Sequence, residues 1–254
     1  MKLNRSLIPL AMVSACLLSL SCSKDAEELQ GDLVNAPHPN TVVAMSMAFS
    51  RTGLPFDKSV PFMDAAGTPV QIDRLLFYMS QVEFTDDAGD SVAAFPQKYL
   101  LVDLDEGGLV RTIGQLDGHL HEMHFGLGVD SAMNHADPIT LAAPLNTSGM
   151  WWTWAAGHKF LALEGRYDSD NDGVVETTDN EFLFHCGMDT LYTPVTLQVH
   201  TDADMGGNVV LPLELSIDTL LAGMDIAAQP VLQNVTPVTQ GLMQRLARSI
   251  THIE

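Results

Sequence analysis

The densest run of ligand-type residues is Asp168-Ser-Asp170-Asn-Asp172-Gly173-Val174-Val-Glu176-Thr-Thr-Asp179. Carboxylates at loop positions 1, 3, 5, 9 and 12, a glycine at position 6 and the backbone carbonyl of Val174 at position 7 make the oxygen cage that a hard Ca²⁺ ion requires. Position 12 is Asp179, where the helix-flanked version has a bidentate glutamate, and the flanking segments read as strands. The expectation is a calcium loop joining two strands, with an acidic turn holding no ion as the alternative. Its job would be structural, because no paired helices are there to open.

The second concentration is aromatic. All three tryptophans fall in Met150-Trp151-Trp152-Thr153-Trp154, followed by Gly157-His158-Lys159-Phe160. In a strand, Trp152 and Trp154 share one face and Trp151 takes the other. Alone, such a block reads first as core packing, with a sugar-stacking surface as the alternative. Its company is what sets it apart: Asn134-His135 precedes it, Phe184-His185-Cys186-Gly187-Met188 follows, and His119-Leu-His121-Glu-Met123-His124 lies upstream. Neutral imidazole and thioether are ligands that soft Cu(I) accepts, whereas a lone thiol argues against a thiolate zinc site. By period two, His119, His121 and Met123 share one strand face, where a second, surface metal site would fit. Each histidine taken singly reads as exposed or simply hydrogen-bonded, and spacing alone does not establish either site.

Signatures of catalysis are missing. The chain has no Gly-x-Ser-x-Gly elbow, no phosphate-cradling glycine loop and no His-Glu-x-x-His helix, so the protein is not expected to be an enzyme.

The elements that must position these groups are strands. Short apolar runs recur at Val42 to Phe49, Val70 to Phe84, Tyr99 to Leu104, His119 to Leu127, Lys159 to Glu164, Glu181 to His185, Val195 to His200 and Val209 to Ile217. Between them lie Asp64-Ala-Ala-Gly67, Asp86-Asp-Ala-Gly-Asp90, Glu106-Gly-Gly108 and Met205-Gly-Gly-Asn208, which have the composition of tight turns. The pattern predicts an all-β fold, an antiparallel β-sandwich. Leu75 to Met79 is apolar on both faces, as a strand covered on both sides requires. Helix is expected only late: a short one within Asp218 to Ala228, and a C-terminal segment in which Leu242, Met243, Leu246 and Ile250 fall at helical spacing.

With 254 residues, 46% of them hydrophobic, the chain can bury a sizeable core. It carries 32 acidic against 12 basic residues, and a surface of net charge −20 repels a polyanion, which excludes nucleic acid as an expected partner. Lys2 and Arg5 precede an apolar stretch, Leu7 to Leu20, shorter than a bilayer-spanning helix. Residues 1–21 therefore read as a signal peptide. The run Leu18-Ser-Leu-Ser-Cys22 resembles a bacterial lipoprotein cleavage site, with Cys22 as the lipidated residue. Residues 22–40 follow as a polar tether, and 41–254 as one domain. Cys16 falls within the signal and Cys22 at its end, which leaves Cys186 alone in the body and no disulfide framework.

The ordered blocks Leu76-Phe-Tyr-Met-Ser-Gln-Val82, Tyr99-Leu-Leu-Val-Asp103, His124-Phe-Gly-Leu-Gly-Val-Asp130, Asn134-His-Ala-Asp-Pro138, the Trp-rich block with Gly157-His-Lys-Phe160, Leu163-Glu-Gly165 and Phe184-His185 resemble the MbnP family. The resemblance runs from about residue 41 to 217. It implies a β-sandwich that binds copper outside the cytoplasm, with one tryptophan oxidised to kynurenine by a partner dihaem enzyme related to bacterial cytochrome c peroxidases. Ring opening would convert an indole into a side chain with an aniline nitrogen that can bind metal. Carried over by position, the copper residues are His135, His185, Trp152 and Trp154, one tryptophan being modified. His158 stands where the family usually has tyrosine, and Cys186 follows His185, so either could join or alter the ligand set.

The combined expectation is a lipoprotein, anchored to the outer membrane or periplasmic, that handles copper as MbnP-type proteins do. Asp168, Asp170, Asp172, Val174, Glu176 and Asp179 would hold calcium. The alternatives are a calcium-stabilised surface module whose tryptophans take sugar or protein and, further off, a metal-dependent hydrolase using His119, His121 and His124.

Overall fold

The computed structural model describes residues 40–153 and 155–253. The expected signal peptide, Cys22, nearly all of the expected tether, and Trp154 lie outside them. Two sheets enclose a single apolar core. Fourteen strands build them: β1 (Thr41–Arg51), β2 (Leu54–Pro55), β3 (Phe62–Met63), β4 (Pro69–Thr85), β5 (Ser91–Asp103), β6 (Arg111–Leu116), β7 (His119–Leu127), β8 (Trp151–Thr153), β9 (Gly157–Tyr167), β10 (Glu181–Gly187), β11 (Thr193–Asp202), β12 (Asn208–Ser216), β13 (Val231–Leu232) and β14 (Ile250–His252). The smaller sheet runs β14-β12-β1-β2, with β6 also on β1. The larger runs β11-β7-β4-β9-β10-β13, with β3 and β5 joined to β4 and β8 to β9.

Period-two patterning explains the smaller sheet. Val43, Met45, Met47 and Phe49 of β1 all point inward, and Met45, Met47 and Phe49 stand in register with Leu211, Leu213 and Leu215 of β12. Each such buried side chain is worth about 1.5–3 kcal/mol. β1 and β12 run parallel, as do β10 and β13, so the sandwich is antiparallel in most of its pairs but not in all. Parallel pairing costs little here because the two strands are far apart in sequence and need no tight hairpin.

β4 is central. It pairs with both β7 and β9, and Leu75 through Ser80 are all buried, which is why that stretch shows no alternation. The first late helix is shorter than expected and the second begins earlier. Ile217–Leu220 forms one turn. Pro237–Ser249 forms a helix capped reciprocally by Thr236 and Thr239, and it buries Leu242, Met243 and Leu246. Ile250 leaves that helix and opens β14, opposite Leu215. Among the described residues no helix is long and apolar enough to cross a membrane.

Candidate metal centre

Trp151 and Trp152 sit on opposite faces of β8, as alternation requires, and each meets a different histidine. Trp151 is in register with His158, their rings edge to face at 4.8 Å. Trp152 stands edge to face with His185, ring centres 6.0 Å apart.

His185 lies on β10 opposite Ala162 of β9, which makes Glu164, two residues further along β9, its diagonal neighbour. The Glu164 Oε1 atom is 2.7 Å from His185 Nε2 and also accepts from Arg74 Nη1 at 3.2 Å. A carboxylate only accepts, so Nε2 carries the hydrogen and Nδ1 the lone pair. That Nδ1 is buried and has no hydrogen-bond partner. Burial holds the His185 imidazolium below its ordinary pKa, against the opposing pull of Glu164, which favours the neutral ring with its lone pair on Nδ1.

His135 follows the turn Ser131–Asn134 and presents Nε2 to Asp189 Oδ2 at 3.1 Å, with about half of its side chain exposed. Asp189 also accepts from Asn134 Nδ2 at 2.9 Å and from the Ser131 hydroxyl. Burial works against its charge, but these three donors outweigh it and hold the carboxyl below the usual range. Both expected copper histidines thus have a carboxylate on Nε2. Their ligand atoms are not part of any set of three His, Cys, Asp or Glu groups lying within 4.8 Å of one another among the described residues.

Two glycines permit this local geometry. Gly157 has φ +71°, and a Cβ there would meet Asn134 Oδ1 at 2.2 Å. A Cβ at Gly187 would lie 2.5 Å from the carbonyl oxygen of His158. Met188 follows with φ 74°, a positive φ that strains a non-glycine, and is exposed.

His158 and Cys186 belong to the interior. His158 is buried, with Nε2 donating to the Leu145 carbonyl at 3.0 Å and its backbone N–H to Asn134 Oδ1 at 2.7 Å, so it holds the Asn134 segment in place. Cys186 points to the opposite face from His185, with Sγ 4.0 Å from the Thr239 carbonyl, and burial pushes its thiol up to about 12. A thiol so disfavoured as thiolate, facing the C-terminal helix, does not join the centre.

The acidic loop joins β9 to β10, so its strand flanks are as expected. Carboxylate oxygens of Asp168, Asp170 and Asp172 lie within 4.8 Å of one another. Asp168 is buried and accepts from the backbone N–H groups of Asn171 and Gly173, at 2.7 and 2.8 Å. Asp179 closes the loop from the far side, accepting from Ser169 N–H and Glu176 N–H at 3.0 and 2.8 Å. At Asp170 the backbone N–H of Asp172 favours the charged form, yet the surrounding carboxylates prevail and raise its pKa. The exposed side chain of Glu176 faces the Thr178 hydroxyl at 3.4 Å, while Val174 donates its own N–H to Asp172.

The upstream histidines divide. His119 and His121 share an outer face of β7, but Met123 is fully buried in the core, so the expected His119–His121–Met123 face does not form. Strand pairing shifts register opposite His121 and breaks the period there. His124 is taken up by Thr85 and Thr196, at 3.3 and 3.0 Å.

Glu164 and Asp189 were not singled out by sequence reasoning. Only the register of β9 against β10, and the turn after β10, reveal that they hold the two histidines.

The family model described as MbnP matches residues 42–237. Among solved structures, the chain aligns with one described as MbnP from Methylosinus trichosporium at a TM-score of 0.55 and 17% identity, covering 78% of this chain and 82% of that one. At that identity the likeness is one of fold. No curated protein matches the chain.

Proposed function

Because the chain belongs to the MbnP family, we propose that it binds copper at the Trp152–His185 neighbourhood and takes part in copper acquisition or handling outside the cytoplasm. The observation that carries this reading is the Nδ1 atom of His185, a buried lone pair with no partner on a neutral ring whose other nitrogen is held by Glu164. Metal-ligating histidines characteristically give their second nitrogen to a carboxylate, and an orphaned buried acceptor costs about 1–3 kcal/mol unless something binds it. Imidazole suits copper, so the residues fit the ion.

His185 would be one ligand and His135, steered by Asp189, a second. Trp152 is the tryptophan we assign to kynurenine formation, since its ring stands against His185. The oxidant would be a dihaem partner of the cytochrome c peroxidase type, and this protein would be its substrate and no catalyst. Calcium held by Asp168, Asp170, Asp172, Val174, Glu176 and Asp179 would stiffen the loop between the strands that carry Glu164 and His185. Cys22 would carry the lipid that anchors the chain to a membrane.

The surface-module alternative draws less support. Trp151 and Trp152 are both half-buried and each abuts an imidazole, which leaves less of their faces for a sugar. The test is copper titration of His185→Ala and His135→Ala in chain co-produced with the oxidising partner. Either variant should lose copper stoichiometry while melting cooperatively, and unchanged copper in both would refute the ligand assignment.

A further inference from the structure

A second cluster of imidazoles lies on β7 and β11, with β4 and β9 between it and the strand that bears His185. His119 and Asp202 are register partners, and His119 Nδ1 is 2.6 Å from Asp202 Oδ1. Between Gln198 and Thr201 the register shifts, so that two residues, Val199 and His200, oppose His121 alone. This bulge keeps Val199 in the core and turns His200 outward, at φ 39°. Its ring then meets that of His121 edge to face, centres 4.4 Å apart. A left-handed backbone disfavours a non-glycine, and bulges of this kind re-aim a side chain.

The third element is the turn between β4 and β5. The Asp86 carboxylate accepts from the N–H groups of Ala88 and Asp90, at 2.9 and 3.0 Å, and with the backbone bonds from Asp86 N–H to the Asp90 carbonyl and from Gly89 N–H to the Asp86 carbonyl closes the turn without Asp87. Asp87 is left to face β7, its Oδ1 2.8 Å from His121 Nδ1 and its Oδ2 3.7 Å from His119 Nε2. One ligand atom each from Asp87, His119 and His200 lies within 4.8 Å of the others.

We propose that Asp87, His119 and His200 form a surface site for a borderline divalent transition-metal ion, Zn²⁺ being the reference case, with His121 at its rim. Imidazole nitrogen and carboxylate oxygen are the ligands such ions take at about 2.0–2.2 Å. Tetrahedral binding brings ligand atoms to about 3.4 Å apart, which rotation of the exposed Asp87 and His200 side chains can reach. Asp202 plays the carboxylate that orients His119 from behind, leaving Nε2 for the ion. Two imidazoles exclude a calcium-type cage, and the hard carboxylate disfavours Cu(I). The acidic surface raises the local concentration of any divalent cation.

The test is calorimetric titration of the copper-free chain with ZnCl₂, in excess Ca²⁺ so that the acidic loop is saturated. The native chain and His185→Ala should each bind one Zn²⁺ at this site, and His119→Ala/His200→Ala should lose it. His200→Gly supplies a variant that suits the left-handed backbone: its affinity for Zn²⁺ should fall at least tenfold while its melting temperature stays the same or rises. Equal Zn²⁺ binding in the native and double-variant chains, no Zn²⁺ binding by the native chain, or loss in His185→Ala alone would each overturn the proposal.

Discussion

Glu164 and His185, diagonal neighbours on antiparallel strands, share a 2.7 Å hydrogen bond that leaves His185 Nδ1 buried and unpaired beside Trp152. Arg74 bonds the same Glu164 oxygen, so the carboxylate is fixed from both sides and the imidazole cannot readily turn. Glu164→Gln should therefore keep copper stoichiometry but weaken affinity by roughly 10–100-fold, the usual cost of losing such an orienting carboxylate. Competition against a copper chelator measures this, and an unchanged affinity would separate Glu164 from metal binding.

Calcium should act on stability. An ion present at 100 times its Kd stabilises the folded state by about 2.7 kcal/mol, and each kcal/mol moves the melting temperature of a chain this size by about 2–4 °C. Chelation is expected to lower the midpoint by roughly 5–10 °C. Asp170→Ala should melt at one temperature with and without Ca²⁺. A native chain indifferent to chelation would count against the loop as a calcium site.

The buried imidazoles set a pH dependence. Burial lowers the pKa of His158 and His185 below the ordinary 6.5. On acidification the unfolded chain then takes up protons first, so their contribution to stability is present above pH 6.5 and is lost as pH falls from 6.5 through the folded-state values. Urea unfolding of the metal-free chain at pH 7.5 and 5.5 should show that His158→Phe loses less stability on acidification than the native chain does. The same substitution leaves the Leu145 carbonyl unpaired, at about 1–3 kcal/mol at either pH. An identical pH slope in His158→Phe would contradict the assignment.

Gly157→Ala probes the scaffold around His135. Its Cβ would strike Asn134 Oδ1, and its φ of +71° is left-handed, so a loss of at least about 1–2 kcal/mol is expected. Because Asn134 also supports Asp189, the variant should bind copper more weakly than the native chain. Native-like stability and affinity together would show that the Asn134 contacts do not position the site.

Much of the fold was legible because strand patterning is local. The pattern gives β7 its true ends, and the doubly apolar Leu75 to Met79 marks a strand covered on both sides. β6, with few inward apolar residues, and the parallel β1–β12 pair were not legible, since pairing partners far apart in sequence leave no local mark. The site divides the same way. Trp151 and Trp152 facing opposite sides follows from period two. The roles of Glu164, Asp189 and His200 depend on register, a turn and a bulge, none of which a single sequence declares. Met123 shows the reverse failure: period two gave it the face of His121, and the register shift opposite His121 sends it into the core.

If Trp152 is converted and, with His185, holds copper, the chain itself carries the change as a shift in mass. Peptide mapping by mass spectrometry, applied to chain from cells containing the oxidising partner, tests it on the tryptic fragment from Thr112 to Lys159, which contains every tryptophan. The expected result is a fragment that has lost one carbon and gained one oxygen, with the change localised to Trp152. Unmodified tryptophan throughout, or a change confined to Trp151 against His158, would contradict it.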